Sequence, residues 1–554
     1  MPAGLVMRRF DVALLHAPSV FDFRERGYVH YGPISDVVPS RPIFDMYPAG
    51  FFTLASYLEK NGFRVGIFNL AARMVNDPSF DVRRFLERLD ADVYAIDLHW
   101  LVHAHGALEV AKLVKELKEV PVVLGGLSST YYWWEILSGY PFVDAVVLGD
   151  TTEPCFLQLV ERLQRGDRSF DGVCNVAYRE GQKVRCNGVT FVPESLDDYV
   201  ADYGLVVRVM VRSGIPMSLP WSTFLEHPVT AVLAYKGCVY NCLACGGSAF
   251  AYRTFYRRRS LGVKRPETLF EEFKGITERF KAPIFFVGDL QVLGRGYIEK
   301  LTKLLAEEGE DVEIFFEFFT PPPRDVLELY RRAGDRVYLH LSPESHDDEV
   351  RRRYGRAYTN SDIRRFLRAA AELGFERVDL YFMVGLPGQT PESVRALGRF
   401  FEEMYREAGG RLEGFVAPLA PFVDPGSIAF HMPRKVGYRL LARRLSEHRE
   451  LLLARRWFEM LNYETDWMTR EEIALATYNA VESLAESKLK LGLIEEKDFE
   501  RILASIRAAK SGQPPSTLHE KETLKEEELY PKRKLPLQYM TLKLAAEIAW
   551  HALA

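Results

Sequence analysis

The sequence predicts an α/β protein in three parts: a doubly wound parallel sheet, a partial (β/α)6 barrel and a helical carboxyl-terminal region. Short apolar runs alternate with amphipathic stretches in two long blocks, which is the pattern of parallel strands joined by crossover helices. A cysteine-rich loop interrupts the series between the blocks, and beyond them the sequence turns charged and helix-periodic. The boundaries fall at residues 1–200, 201–435 and 436–554.

The first block contains five strand-like runs: Phe10–His16, Arg64–Phe68, Asp92–Ile96, Val120–Leu124 and Val143–Leu148. Ligands of such sheets sit beyond the carboxyl ends of the strands. Two of those ends carry glycine, Gly125-Gly126 and Gly149-Asp150, where a bulky ligand can approach the backbone. The loop after the third run, Asp97 to Gly106, holds Asp97, His99, His103 and His105. Further on, Cys174–Glu180 and Lys183–Asn187 around Gly181-Gln182 predict a hairpin that brings Cys174 and Cys186 near each other, although free thiols are the expectation. Cys155, at a helix start, is explained by burial as a small apolar side chain.

The second block opens with the run Val229–Tyr235, followed at once by Cys238, Cys242 and Cys245 in a CxxxCxxC pattern. Three thiolates at this spacing can hold three irons of a [4Fe–4S] cluster and leave the fourth open. A structural zinc site would want a fourth ligand and two close pairs, and no second pair follows. Five more runs, Pro283–Val287, Val312–Phe318, Val337–Leu341, Val378–Val384 and Glu413–Ala417, complete six β/α units. Chemistry in such barrels gathers at the carboxyl ends of strands. The polar residues there are Asp289, Glu317, Thr320, Ser342, Glu344, Ser345 and the turn Gly385-Leu386-Pro387-Gly388. For Asp289 and Glu344 a helix cap is the plain alternative. The runs Arg257–Arg259 and Arg351–Arg353 read as solvated faces, with contact to a substrate phosphate as the alternative. In the third part, Arg455–Leu461 and a helix from Glu471 to Gly492 stand out, the latter headed by a capping arrangement in Thr469-Arg-Glu-Glu472. This part reads as a lid or packing domain, ending in a surface linker at Pro514-Pro515 and Lys521–Glu528.

With 27% charged residues and a net charge of −4, the chain gives no case for nucleic acid as an obligatory partner. It has no apolar run long enough to span a bilayer and no signal peptide, so a cytoplasmic enzyme is expected, with peripheral membrane contact left open.

The cysteine pattern resembles that of radical S-adenosylmethionine (SAM) enzymes, except that Ala244 stands where the family usually has an aromatic residue. The resemblance implies that the open iron chelates the amino and carboxylate groups of SAM. It also places Asp289 near the SAM amine, Ser342 and Glu344 at its ribose and carboxylate, and Gly385 to Gly388, with Pro387, beside the adenine. The first block resembles the cobalamin-binding domain that precedes many radical SAM proteins, a flavodoxin- or Rossmann-like fold. The matching pieces are Tyr47-Pro-Ala-Gly50 with the helix Phe51–Lys60, Leu124–Ser129 and Asp144–Glu153. It implies that Gly125, Gly126 and Gly149 lie along the cofactor and that Asp97 and His99 face it. The cobalt-ligating DxHxxG motif of methionine-synthase-like proteins belongs after the first strand, whereas this DxH follows the third and lacks the glycine, so cobalamin bound without its dimethylbenzimidazole and without a histidine ligand is expected. A polar loop without cofactor is the alternative for His99, His103 and His105.

Together the resemblances imply an enzyme that cleaves SAM and functionalises an unactivated carbon, by default through C-methylation. Radical ring formation on an archaeal isoprenoid lipid and a non-catalytic cofactor sensor are the alternatives. The implied partners are a small-molecule or lipid substrate and a low-potential electron donor such as ferredoxin or flavodoxin.

Overall fold

The strand Phe10–His16 (β1) is buried along its whole length, on both faces, which suits the middle of a parallel sheet covered by helices on each side. In the computed structural model, which describes residues 9–25, 43–213, 217–226, 228–280, 282–308, 312–419 and 422–511, it occupies that place. It pairs in parallel with Val65–Asn69 (β2) on one side and Ala91–Asp97 (β3) on the other. Val122–Gly125 (β4) and Ala145–Val147 (β5) continue the parallel sheet. The hairpin Val176–Glu180 (β6) and Lys183–Cys186 (β7) adds two antiparallel strands, giving the order β2-β1-β3-β4-β5-β6-β7. The chain changes direction across the sheet between β1 and β3, the crevice where ligands of doubly wound sheets bind.

The cysteines of this unit pair otherwise than expected. Cys155 and Cys174 form a disulfide, while Cys186 is free and exposed at the end of β7. The hairpin points Cys186 outward, whereas Cys174 sits ahead of β6, against the helix Glu153–Gln164.

Short strands Thr230–Leu233 (β8) and Tyr235–Lys236 (β9) replace the single run predicted, with β9 pairing antiparallel to Gly262–Val263 (β10). Ile284–Val287 (β11), Glu313–Phe318 (β12), Arg336–Glu344 (β13), Arg377–Val384 (β14) and Leu412–Pro418 (β15) then form a parallel sheet with β8, in the order β15-β14-β13-β12-β11-β8. The aromatic run after Glu313 splits by the period of two. Phe316 and Phe318 pack outward on Tyr330, while Phe315 stacks between Phe285 and Tyr338 at centroid distances of 5.5 and 4.4 Å. His340 lies edge-on to Phe285, with Nε2 2.8 Å from Asp379 Oδ2 and Nδ1 3.2 Å from the Tyr381 hydroxyl. These side chains floor the barrel beneath the strand ends.

The carboxyl-terminal region is helical but includes a two-stranded ribbon, Tyr438–Leu440 (β16) with Tyr463–Thr465 (β17). The helix Arg470–Lys490 starts at the predicted capping box of Thr469 and Glu472. It lies so close to the helix Ala396–Glu407 that a Cβ on Gly398 would fall 2.2 Å from the Ser483 carbonyl. The proposed linker at 514–528 lies outside the described residues. Among the described residues no helix is long and apolar enough to cross a membrane.

The arginine runs are not simply solvated. Arg351 is fully buried, donating to Asp348, Tyr358, Ser345 and Asn360, and Arg258 is buried as well. Arg257, Arg259, Arg352 and Arg353 are exposed.

Candidate active site at the facing ends of two sheets

The cysteine loop leaves β9 through Gly237, whose φ of +101° only glycine adopts freely. None of its three thiols is tied into a disulfide. Cys242 is buried and Cys238 and Cys245 are half-buried, and the backbone N–H groups of Tyr240 and Gly247 point at the sulfurs of Cys238 and Cys245 at 3.4 and 3.3 Å. Burial pushes all three thiols upward, Cys242 to about 11, so each gives up its proton only to a cation that replaces it. Among the described residues no three His, Cys, Asp or Glu side chains converge on one ion. A cluster asks for no such convergence, because each thiolate takes its own iron.

The segment after β15 holds the loop in place. The Asp424 carboxylate accepts from Gly246 N at 3.0 Å, Asp424 N donates to the Ala244 carbonyl, and Ala429 N donates to that of Leu243. Ala244, the departure from the family pattern, is buried under this strap.

At the barrel's strand ends the predicted residues separate. Asp289 is fully buried, and its carboxylate accepts from Gln291 N, Gln291 Nε2 and Phe319 N, so it caps the short helix Leu290–Leu293. Burial raises its pKa, as it does that of Glu317, which accepts from Gly288 N at 2.7 Å. Ser342 is half-buried, its carbonyl taking the Tyr358 hydroxyl. In the turn after β14, the Gly385 and Leu386 N–H groups both donate to Gln389 Oε1, Pro387 is buried, and the ribbon closes over it with the Tyr438 hydroxyl on the Gly385 carbonyl.

Glu344 ends β13 at an irregularity in register and at φ +67°, rare for a residue with a side chain and worth about 1–3 kcal/mol of strain. The strain aims its carboxylate at Arg356, whose Nη2 donates at 2.7 Å. Burial raises the Glu344 pKa against the pull of Arg356. The guanidinium lies over the rings of Phe319 and Tyr240, 4.7 and 5.7 Å from their centroids, and Tyr240 belongs to the cysteine loop. Arg356 is only 5% exposed, yet its Nε and Nη1 meet no partner among the described residues. Sequence reasoning missed this residue. Its one local signal is Gly355, whose φ of +114° ends the preceding helix against the backbone of Asn241 and Cys242.

On the other sheet, Asp97 is buried and bonded to His16 Nδ1 at 2.9 Å. His16 Nε2 and His103 Nε2 both bond to the Phe44 carbonyl, at 3.1 and 2.8 Å. Burial works against charge on both partners, but each outweighs it for the other, so the His16 pKa is raised and the Asp97 pKa lowered. Burial takes His99 and His103 down to about 4, leaving both neutral at physiological pH. One oxygen of Asp97 is therefore paired with the end of β1, a pairing that the mismatch of His16-Ala-Pro18 to any motif concealed, while Oδ2 has no partner among the described residues. The glycine pair also divides. A Cβ on Gly126, at φ +114°, would lie 2.6 Å from His99 Cα, whereas one on Gly125 would have nothing within 4 Å among the described residues. Gly149, at φ +103°, is followed by Asp150, whose carbonyl accepts from Lys236 Nζ at 2.8 Å, two residues before Cys238.

The two ends thus meet, and the free thiols, the half-bonded guanidinium and the open face at Gly125 fit the groups that the sequence resemblance implies. Comparison with known proteins agrees. Residues 37–155 match the model of the B12 binding domain and residues 232–401 that of the Radical SAM superfamily. An uncharacterised methyltransferase of Pyrococcus horikoshii is 23% identical over 329 residues, 58% of this chain and 67% of its own. The anaerobic magnesium-protoporphyrin IX monomethyl ester cyclase of Rubrivivax gelatinosus is 23% identical over 410 residues, 68% of this chain and 69% of its own. The fold is similar to that of the radical SAM methyltransferase TsrM from Kitasatospora setae, with a TM-score of 0.58 and 12% identity over 91% of this chain and 99% of that one. It is similar too to the cobalamin-dependent SAM radical enzyme OxsB, with a TM-score of 0.56 and 12% identity over 91% and 72%.

Proposed function

We propose that this chain, a B12-binding domain joined to a radical SAM domain, methylates an unactivated carbon of a small molecule or lipid with a [4Fe–4S] cluster, SAM and cobalamin. The observation that supports this most is the contact of Lys236, at the root of the cysteine loop, with the loop after β5, which brings the strand ends of the two sheets together. When bound, the cluster and SAM supply a hydrogen-abstracting radical and cobalamin a transferable methyl group; the protein supplies orientation and a dry site.

Cys238, Cys242 and Cys245 would hold three irons. Arg356 would take the SAM carboxylate on its unpartnered Nη1 through a charge-assisted hydrogen bond. Glu344, which would repel a carboxylate, holds the guanidinium in place. Ser342 and the Gly385–Pro387 turn would border the ribose and adenine, and Gly125 would leave room for the cobalamin tail. The stacked floor of Phe285, Phe315 and Tyr338 keeps water from below. A low-potential donor such as ferredoxin or flavodoxin would provide the electron.

Ring formation is the second reading, favoured by the similarity to a cyclase. Anaerobic assay of the reconstituted chain with SAM, cobalamin and a low-potential reductant separates the two. 5′-Deoxyadenosine together with S-adenosylhomocysteine, both lost in Cys242→Ala, supports methylation. Deoxyadenosine alone supports ring formation, and neither product would sink both readings in favour of a sensor.

A further inference from the structure

We infer that Arg258 and Lys236 are positioning residues that lock the loop after β5 to the cysteine loop, so that cobalamin and SAM bind cooperatively. The inference rests on the proposed function for the identity of the two ligands.

Within the run Arg257-Arg258-Arg259 only the middle side chain is buried, 2% exposed, and it uses all three nitrogens. Nε and Nη2 grip the Asp150 carboxylate at 2.6 and 3.3 Å, Nη2 also reaches Thr151 Oγ1 at 3.2 Å, and Nη1 donates to the Pro193 carbonyl at 2.8 Å. The arginine passes beneath the cysteine loop to do so. A Cβ on Gly237 would fall 2.8 Å from its Cδ, and one on Gly262 would fall 2.6 Å from its Nη1. Lys236 makes the second tie, to the Asp150 carbonyl at 2.8 Å and to Glu153 at 3.6 Å. Glu153 is itself fixed by Thr53 Oγ1 at 2.7 Å and Thr152 N at 2.8 Å.

These ties join residues next to both cofactor faces. Asp150 follows Gly149, and Lys236 precedes Cys238 by two positions. A bidentate, buried ion pair has one good geometry and cannot be left half-broken without stranding a charge. A shift that either cofactor imposes on its loop is therefore passed to the other loop, and the second ligand meets a loop already moved toward its bound position. For a transfer between two cofactors and one carbon, such fixed spacing is what the reaction needs.

The test uses the full chain, reconstituted anaerobically. Hydroxocobalamin is titrated by its visible absorbance with and without saturating SAM, and SAM is titrated with and without cobalamin. In the wild type each ligand should tighten the other by the same factor, about tenfold. In the double variant Arg258→Met/Asp150→Leu, which strands neither charge, that factor should fall to about one, while each ligand alone binds within about threefold of wild type. Lys236→Met, at a less buried tie, should give an intermediate factor and serves if the double variant does not fold. A factor that stays at its wild-type value in whichever variant folds overturns the inference. A wild type that binds both ligands independently overturns it and spares the proposed function; one that binds no cobalamin overturns both.

Discussion

Two buried arginine–carboxylate pairs flank the cysteine loop, and they are finished to different degrees. Arg258 meets Asp150 in two hydrogen bonds and places its remaining nitrogen on a carbonyl. Arg356 meets Glu344 in one and leaves two nitrogens bare. An unpaired buried donor costs about 1–3 kcal/mol, and Arg356 carries two on one side chain beside the cysteine loop. The closed pair has the look of structure holding structure together, and the open pair that of a socket.

The difference can be broken from either side. Arg258→Met should cost about 3–5 kcal/mol in urea unfolding, the penalty for stranding a buried carboxylate. Arg356→Met should cost less, about 1–2 kcal/mol, because it also removes two unsatisfied donors and Glu344, its pKa already raised by burial, can take up a proton. A larger loss for Arg356→Met than for Arg258→Met would mean that the open pair is structural after all. For ligand binding the order should reverse, Arg356→Met weakening SAM about 10- to 100-fold as read by the change in the reduced cluster's EPR signal. The glycine pair after β4 offers the same contrast on a smaller scale. Gly126→Ala should lose about 1–3 kcal/mol of stability from its backbone conformation and from His99. Gly125→Ala should be neutral to within about 0.5 kcal/mol and should weaken cobalamin instead.

The smallest effect is one of pH. His16, with its pKa raised, adds stability that is complete below about pH 6.5 and fades as pH rises through the raised value. Asp97, with its pKa lowered, adds stability present above about pH 4 and lost as pH falls through the lowered value. The pair is thus at full strength between those limits. His16→Asn should flatten the fall of the urea midpoint on the alkaline side; an unchanged profile would mean that His16 is neutral throughout.

How much of the molecule is legible in its sequence depends on the range of the signal. The strands of both sheets, the cysteine triad and the Thr469–Glu472 cap are written in local periods and spacings, and they stand in the structure within a few residues of their expected places. Pairings across long separations are not written locally. Cys155 finds Cys174 because a helix packs beside a hairpin, and Asp97 finds His16 because β1 and β3 are neighbours in space. One arginine run misleads for the same reason. Charge density marks a surface only on average, and Arg258 is drawn inside by Asp150 and Pro193, far away in sequence, whereas Arg351 is drawn inside by Ser345, Asp348, Tyr358 and Asn360, near neighbours whose contacts a count of charges does not register.

The bridge from Cys155 to Cys174 shares its chain with a group that has to be reduced to act. It staples the first turn of the helix bearing Glu153 to the approach of β6 over a separation of 19 residues, a closure worth about 3 kcal/mol on chain-entropy grounds. Cys155 is fully buried, so thiols used to load iron and sulfide reach that staple only at the half-buried Cys174, and an exchange there would slacken the corrinoid half while the other half is being assembled. Preparation of the enzyme therefore has a preferred sequence: corrinoid first, with the staple intact, then electrons from a one-electron donor that does not exchange with disulfides.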